Sequence, residues 1–302
     1  MASRNPSRLG LLLLLIVAFA HLLEGYDLSK RLEPKGKLQV RLDISLAREE
    51  LERGVKTPEG RLRWQWSSYL TFWDDVRDIS DGQLKKMAID AYKEMEADAL
   101  QYKLQPESKE NKRAKRTPGV MTILAWPHGI LLASSQKGAS GFITDENKDL
   151  VDSEVLRILN LCGSIFQENT ITPQQPDGIS TDHINERKCG EVYAYRLYER
   201  IDNNNKLKDW DPPARVTSVS RERLEDGTWG DGYIIVPPCP GTNKHNLATT
   251  WGCNLMNEQF GVTYLKNEVE EEDYDLKELA GGLTGIGQQQ LCGKLIAGKV
   301  KL

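Results

Sequence analysis

The sequence has no cysteine in its first 116 residues, no Asn-X-Ser/Thr acceptor once Asn5-Pro6-Ser7 is set aside for its proline, and no long apolar run. Leu9 to Leu23, interrupted by Gly10 and His21, spans 15 residues, short of the roughly 20 that a membrane-spanning helix needs. The shortage excludes a polytopic membrane protein, and the missing acceptor makes N-glycosylation unexpected. An excess of one charge is also lacking. Forty Lys+Arg against 44 Asp+Glu leave a net −4, without the whole-chain basic footprint of a non-specific nucleic-acid binder. With 302 residues, 39% of them hydrophobic and 28% charged, the chain is neither disordered nor collagen-like. It is long enough for one sizeable core or two smaller ones.

What is present begins with a leader. Arg4 and Arg8 precede Leu11 to Val17, and Ala18-Phe19-Ala20 follows with small residues two apart, the layout of a secretory signal peptide. Cleavage is expected after Ala20 or nearer Gly25, so residues 1–25 are predicted to be the signal and the product to be secreted, extracellular and free of stable membrane association. A second mark is Arg113-Ala114-Lys115-Arg116, ahead of Thr117-Pro118-Gly119, in a polar stretch from Gln105 that reads as an exposed linker. Arg-X-Lys-Arg resembles the site cut by dibasic-specific processing proteases of the secretory pathway, which makes such a protease an expected partner; an ordinary basic linker is the alternative. Residues 1–116 carry a net +4 and residues 117–302 a net −8, and all five cysteines lie in the second part. The expected organisation is a helical pro-region, 26–116, followed by an α/β domain, 117–302.

In the first part, Thr57-Pro58 resembles a helix start and Ser80-Asp81-Gly82-Gln83 has capping-box spacing. Helices are predicted at about 44–53, 58–78 and 81–103, with Leu62, Trp66, Leu70 and Trp73 forming a helical stripe in the second of these. Trp64, Trp66 and Trp73 read as packing rather than as a ligand face.

In the second part, strands are predicted at 120–126 and 130–135 around a Pro127-His128-Gly129 turn. Helices follow at 152–166 and from about Lys188 to Ile201, then a strand at Tyr233 to Val236, a helix from Asn254 to Phe260 and a strand at 261–265. This alternation predicts a layered α/β fold. Gly281 to Gly287 reads as a flexible turn and Glu268 to Asp275 as a solvated acidic face.

Chemistry concentrates at Cys189-Gly190-Glu191, which opens a predicted helix, Pro238-Cys239, which follows a strand, and Cys253, which opens the next helix. Helix N-termini favour the thiolate that a metal requires. Three such ligands would leave the fourth position of a Zn2+ for water. Glu191, two residues from a ligand, is placed to carry a proton from that water to a leaving nitrogen.

These residues resemble the zinc-dependent cytidine deaminase-like superfamily, whose pattern is His-or-Cys, X, Glu, then Pro-Cys and a further Cys. The resemblance covers Val120 to Leu265. It implies a three-layer α/β domain with a mixed sheet, Zn2+ as cofactor, Cys189, Cys239 and Cys253 as metal ligands, and Glu191 as the catalytic proton shuttle. It also implies a nucleobase-containing substrate: nucleoside, nucleotide or single-stranded nucleic acid. The secreted, processed setting looks more like toxin or effector branches than like nucleoside salvage. One departure stands out. The family places two residues between its last two cysteines, whereas 13 separate Cys239 from Cys253, across loop-like Pro240 to Asn246.

The competing class is a non-enzymatic secreted interaction protein whose α/β domain is stapled by disulfides, with two bridges and one free thiol using all five cysteines. Cys162 and Cys292 would pair with each other or stay buried and inert. A Cys189 nucleophile is weaker, since no histidine has a motif that pairs with it. His128 and His183 read as exposed turn histidines, His245 as a loop residue, and Tyr193, Tyr195 and Tyr198 mainly as packing. Arg215, Arg221 and Arg223 read as the side of a hairpin before a nucleic-acid grip.

Overall fold

A computed structural model describes residues 28–52, 62–104, 117–170, 182–239 and 250–292. The signal run, the Arg113–Arg116 site and the loop carrying His245 lie outside the described residues. In chain order the elements are β1 (Arg41–Leu42), α1 (Ile44–Glu52), β2 (Arg63–Trp64), β3 (Trp66–Phe72), α2 (Asp81–Gln101), β4 (Met121–Trp126) and β5 (Gly129–Ser134). They continue as β6 (Lys137–Gly138), α3 (Glu154–Thr170), α4 (Gly190–Ile201), β7 (Arg215–Arg223), β8 (Trp229–Ile235), α5 (Cys253–Phe260), β9 (Thr263–Tyr264) and β10 (Leu283–Gly287).

Eight of these strands form one mixed sheet in the order β1-β3-β5-β4-β7-β8, with β10 also on β3 and β9 also on β7. The pairings are antiparallel except β7 with β9. The β4–β5 hairpin turns at Pro127-His128, as the sequence predicts, and every residue of both strands is buried. Alternation along a strand sends successive side chains to opposite faces, so both faces of the hairpin must be covered. On one face Leu124, Trp126, Leu131 and Ala133 join Val192, Tyr193, Tyr195 and Leu197 of α4, with α3 and α5, in a single apolar core. Residues of the alternate face, among them Ile123, Ile130 and Leu132, lie under α2, which packs on β4, β5 and β7. The result is the expected three-layer α/β arrangement.

The predicted helix at 58–78 is corrected by the structure: its described part contains strands β2 and β3, followed by a short 3-10 turn at Val76–Asp78. Positions 62, 66 and 70 are four apart, and a spacing of four returns to one face in a strand as well as in a helix. Both faces of the strand are buried, which erases the polar alternation that would have distinguished the two. Trp64 and Trp66 are fully buried, while Trp73 is 77% exposed. The glycine-rich run read as a flexible turn is also corrected, since β10 pairs with β3. By contrast, α1 and α2 match their predicted places, and the Ser80–Gln83 capping box is formed in both directions.

Residues from both sides of Arg116 therefore share one sheet, and Leu32 onward forms one compact unit. Buried carboxylates of α2 hold the first stretch together, and two ion pairs join it to the second. Glu94 accepts the Leu38 and Val40 N–H groups, and Asp98 accepts the Leu42 N–H and the Trp66 indole N–H. Arg221 reaches across to Glu96 at 2.7 Å, and Arg215 to Asp81 at 2.8 Å. No helix among the described residues is long and apolar enough to cross a membrane.

Candidate metal centre

Two glycines let the cysteines approach. Cys189 is the N-cap of α4, without a side-chain cap bond, and a Cβ on the following Gly190 would lie 2.2 Å from the Thr122 hydroxyl of β4. Gly252 is the N-cap before Cys253, and a Cβ there would lie 2.0 Å from the Cys239 carbonyl oxygen. Neither position has room for a side chain. Cys239 follows β8 through Val236, whose N–H bonds to the Ser218 carbonyl on β7.

The structure brings Cys189, Cys239 and Cys253 together and adds His183. The four donor atoms all lie within 4.8 Å of one another. Cys189 Sγ is 3.8 Å from Cys239 Sγ, and His183 Nε2 is 3.4 Å from Cys253 Sγ and 3.7 Å from Cys239 Sγ. A zinc tetrahedron built with bonds of about 2.3 Å to sulfur and 2.0 Å to nitrogen has S–S edges of about 3.8 Å and S–N edges of about 3.5 Å. A disulfide would instead set the sulfurs about 2.05 Å apart. All five cysteines are free, which corrects the stapled alternative. The donor set is thus that of a zinc site and its spacing fits one.

Charge points the same way. Cys239 is held far below the usual thiol range, first by its contact with Cys189 and then by Cys253 and His183. Cys189 and Cys253 are pushed up, Cys189 first by its contact with Cys239 and Cys253 first by its contact with Cys189. Thiolates this close repel one another, and a cation among them would relieve that repulsion. The Cys253 N–H and the Asn185 side-chain amide also donate to sulfur, to Cys239 at 3.0 Å and to Cys189 at 3.3 Å.

Glu191 lies on the wall of a cavity of about 440 Å3 that Cys189 and Cys239 also line, with Gln136, Asn185 and Ser218. His183 and Cys253 are not among its lining residues. Burial raises the Glu191 carboxyl to about 7, against the opposing pull of the Ser218 hydroxyl. A cation at the cysteines would lower it again.

His183 is the residue that the sequence reading misplaced. It is 2% exposed, with the Trp251 ring edge-on at 4.9 Å. Its approach comes from a tertiary bridge between His183 and Trp251, which no local motif encodes; Trp251 beside Gly252-Cys253 was the nearest available signal. His128 stays in its exposed turn, against Trp210. Tyr193, Tyr195 and Tyr198 are buried in the core, as expected of packing residues, with their hydroxyls bonded to Gln136, Asn257 and Trp210. Cys162 and Cys292 are buried away from the cluster and burial raises both to about 12, so they are inert thiols.

The site and the mixed three-layer sheet together define an α/β protein with a His/Cys3 cluster able to hold zinc. No protein-family model, curated protein or solved structure matches the chain.

Proposed function

We propose that the protein is a secreted zinc-dependent hydrolase of the deaminase type, acting on a nucleobase-containing substrate. The observation that carries this reading is the placement of Glu191, a buried carboxylate two residues beyond Cys189, which lines a cavity together with Cys189 and Cys239. A metal used only as a staple has no need of such a group, and burying a carboxylate is costly.

Cys189, Cys239 and Cys253 would hold the ion. When bound, zinc supplies Lewis acidity and makes water nucleophilic near neutral pH. Glu191 takes a proton from the water that attacks the amino-bearing ring carbon and passes it to the departing nitrogen. The C–O bond forms, the C–N bond breaks, the nitrogen leaves as ammonia, and water's other proton stays with the product. The cavity falls within the roughly 300–1,000 Å3 of small-molecule sites. Arg215 and Arg221, two of the three cations of the basic patch, are already paired with Asp81 and Glu96. Both points favour a free nucleoside or nucleotide over a long strand. Secretion and a toxin or effector role rest on the leader and the resemblance.

A second reading is a zinc staple without catalysis in an interaction protein. It is favoured by His183, since four protein donors make a closed site.

The test is elemental analysis and ammonia release on the full chain, with Cys253→Ala and Glu191→Gln variants. The expected outcome is about one zinc per chain, lost in Cys253→Ala and kept in Glu191→Gln, with turnover of cytosine or adenine nucleosides falling about 10²–10⁴-fold in Glu191→Gln. Zinc without ammonia from any substrate would leave only the staple. Absence of zinc would sink both readings.

A further inference from the structure

We infer that His183 is a displaceable fourth ligand of the cysteine centre, so that the centre is closed at rest and opens when the histidine leaves. The inference rests on the reading of the cluster as a zinc site, and it adds to the three-cysteine assignment a residue with a different role.

The ligand side of the argument is distance. His183 Nε2 stands 3.4 Å from Cys253 Sγ and 3.7 Å from Cys239 Sγ, close to the S–N edge of about 3.5 Å in a zinc tetrahedron. Trp251 helps position the ring: it packs against it in an edge-to-face contact, and its carbonyl accepts the Ile184 N–H at 2.8 Å.

The displaceable side is the partner at the other ring nitrogen. A histidine held firmly on a metal donates that second N–H to a carboxylate or a carbonyl. Here Nδ1 faces the backbone N–H of Asn185 at 3.1 Å, a group that only donates. The contact is a hydrogen bond only while Nδ1 is bare and the ring proton is on Nε2, facing the sulfurs. When Nε2 is a ligand, the ring proton must be on Nδ1, directed at the Asn185 N–H. His183 therefore gains a metal bond at the expense of its backbone bond. On release the ring would turn Nε2 off the ion, its proton would return from Nδ1 to Nε2 through solvent, and Nδ1 would again be free to accept the Asn185 N–H. The total proton count is unchanged. Release would leave the three cysteines as holders, two of which line the cavity with Glu191.

Cobalt substitution of the full chain tests this, because Co2+ absorption reports the ligand set without any substrate. Wild type, His183→Ala and His183→Cys are loaded with one Co2+ and titrated with imidazole as an outside ligand. The expected result is a changed visible spectrum in His183→Ala that imidazole restores towards wild type. Wild type should itself take up imidazole about 10-fold more weakly than His183→Ala, while His183→Cys, a four-thiolate site, should take up none. Identical spectra for wild type and His183→Ala would overturn the inference, since His183 would then not be a ligand. A wild type as refractory as His183→Cys would overturn it too, making His183 a permanent ligand. If His183→Ala fails to hold cobalt, the comparison of wild type with His183→Cys still decides. Expected spectra without ammonia release would sink the deaminase reading and leave this one standing, whereas no cobalt in any chain would sink the metal site itself.

Discussion

The stretches before and after Arg116 differ in what they contribute to one fold. The first has no cysteine and no cluster residue, and the second holds all four cluster residues and Glu191. Yet β3 of the first stretch lies inside the sheet, between β5 on one side and β1 and β10 on the other. Helix α2 covers the sheet face opposite α4. One stretch therefore carries the chemistry, while the other forms the layer behind it, and a boundary in composition is not a boundary in the core.

The strongest way to break that comparison is to separate the two stretches. Residues 117–302 alone would leave β5 without β3, and the apolar face formed by Ile123, Ile130 and Leu132 without α2. The expected outcome is a fragment without cooperative unfolding or near-ultraviolet circular dichroism, recovered mainly as aggregate. The full chain cut at Arg116 should elute in gel filtration as one species and separate into two bands only under denaturing conditions. A soluble, cooperatively folding 117–302 fragment would show that the first stretch is dispensable, as expected of a removable pro-region.

The same division explains how much was legible from sequence. Cys189, Glu191, Cys239 and Cys253 were readable because their identities limit their chemistry and they stand at element boundaries. The β4–β5 hairpin, α4 and α5 were readable for the same local reasons of turn and period. Strand β3 was not, because a strand buried on both faces carries no polar alternation. β10 was hidden by its two glycines, Gly285 and Gly287, and by Gly281-Gly282 just ahead of it, residues that weaken a strand signal. His183 was missed because only its bridge to Trp251 brings it to the sulfurs.

A milder probe asks whether the scaffold stretch has its own electrostatic signature. Asp98 is fully buried, and burial raises its carboxyl, with the Trp66, Leu42 and Gln101 donors acting against the shift. Because the folded value lies above the unfolded one, the contribution is complete below the ordinary carboxylate range and is lost as pH rises through the raised value. Asp98→Asn removes that dependence. Its amide oxygen can keep the Leu42 and Trp66 donors, and its NH2 meets Gln101, whose amide can turn to accept. The expected outcome is that wild type loses melting temperature relative to Asp98→Asn as pH climbs from about 4 to 7, with zinc content equal in both. Parallel melting curves across that range would show that Asp98 keeps the same proton affinity in the folded and unfolded chain.

The smallest effect sharpens the comparison furthest, because it touches only the start of α2. Ser80 accepts the Gln83 N–H at 3.1 Å, Gln83 returns the bond to the Ser80 N–H at 3.0 Å, and the Ser80 hydroxyl donates to Glu272 at 2.6 Å. Ser80→Ala removes the cap and the Glu272 bond together, at a cost of about 1 kcal/mol, and Glu272→Gln separates the two, since it retains an acceptor for the hydroxyl. The expected drop in melting temperature is about 2 °C for Ser80→Ala and close to none for Glu272→Gln. Cobalt spectrum and ammonia release should be unchanged in both, because no group of the cluster touches α2. A spectral change in Ser80→Ala would mean that the layer behind the sheet sets the geometry of the sulfurs through β4 and Thr122, where Gly190 makes its close approach, and the division between scaffold and site would have to be redrawn there.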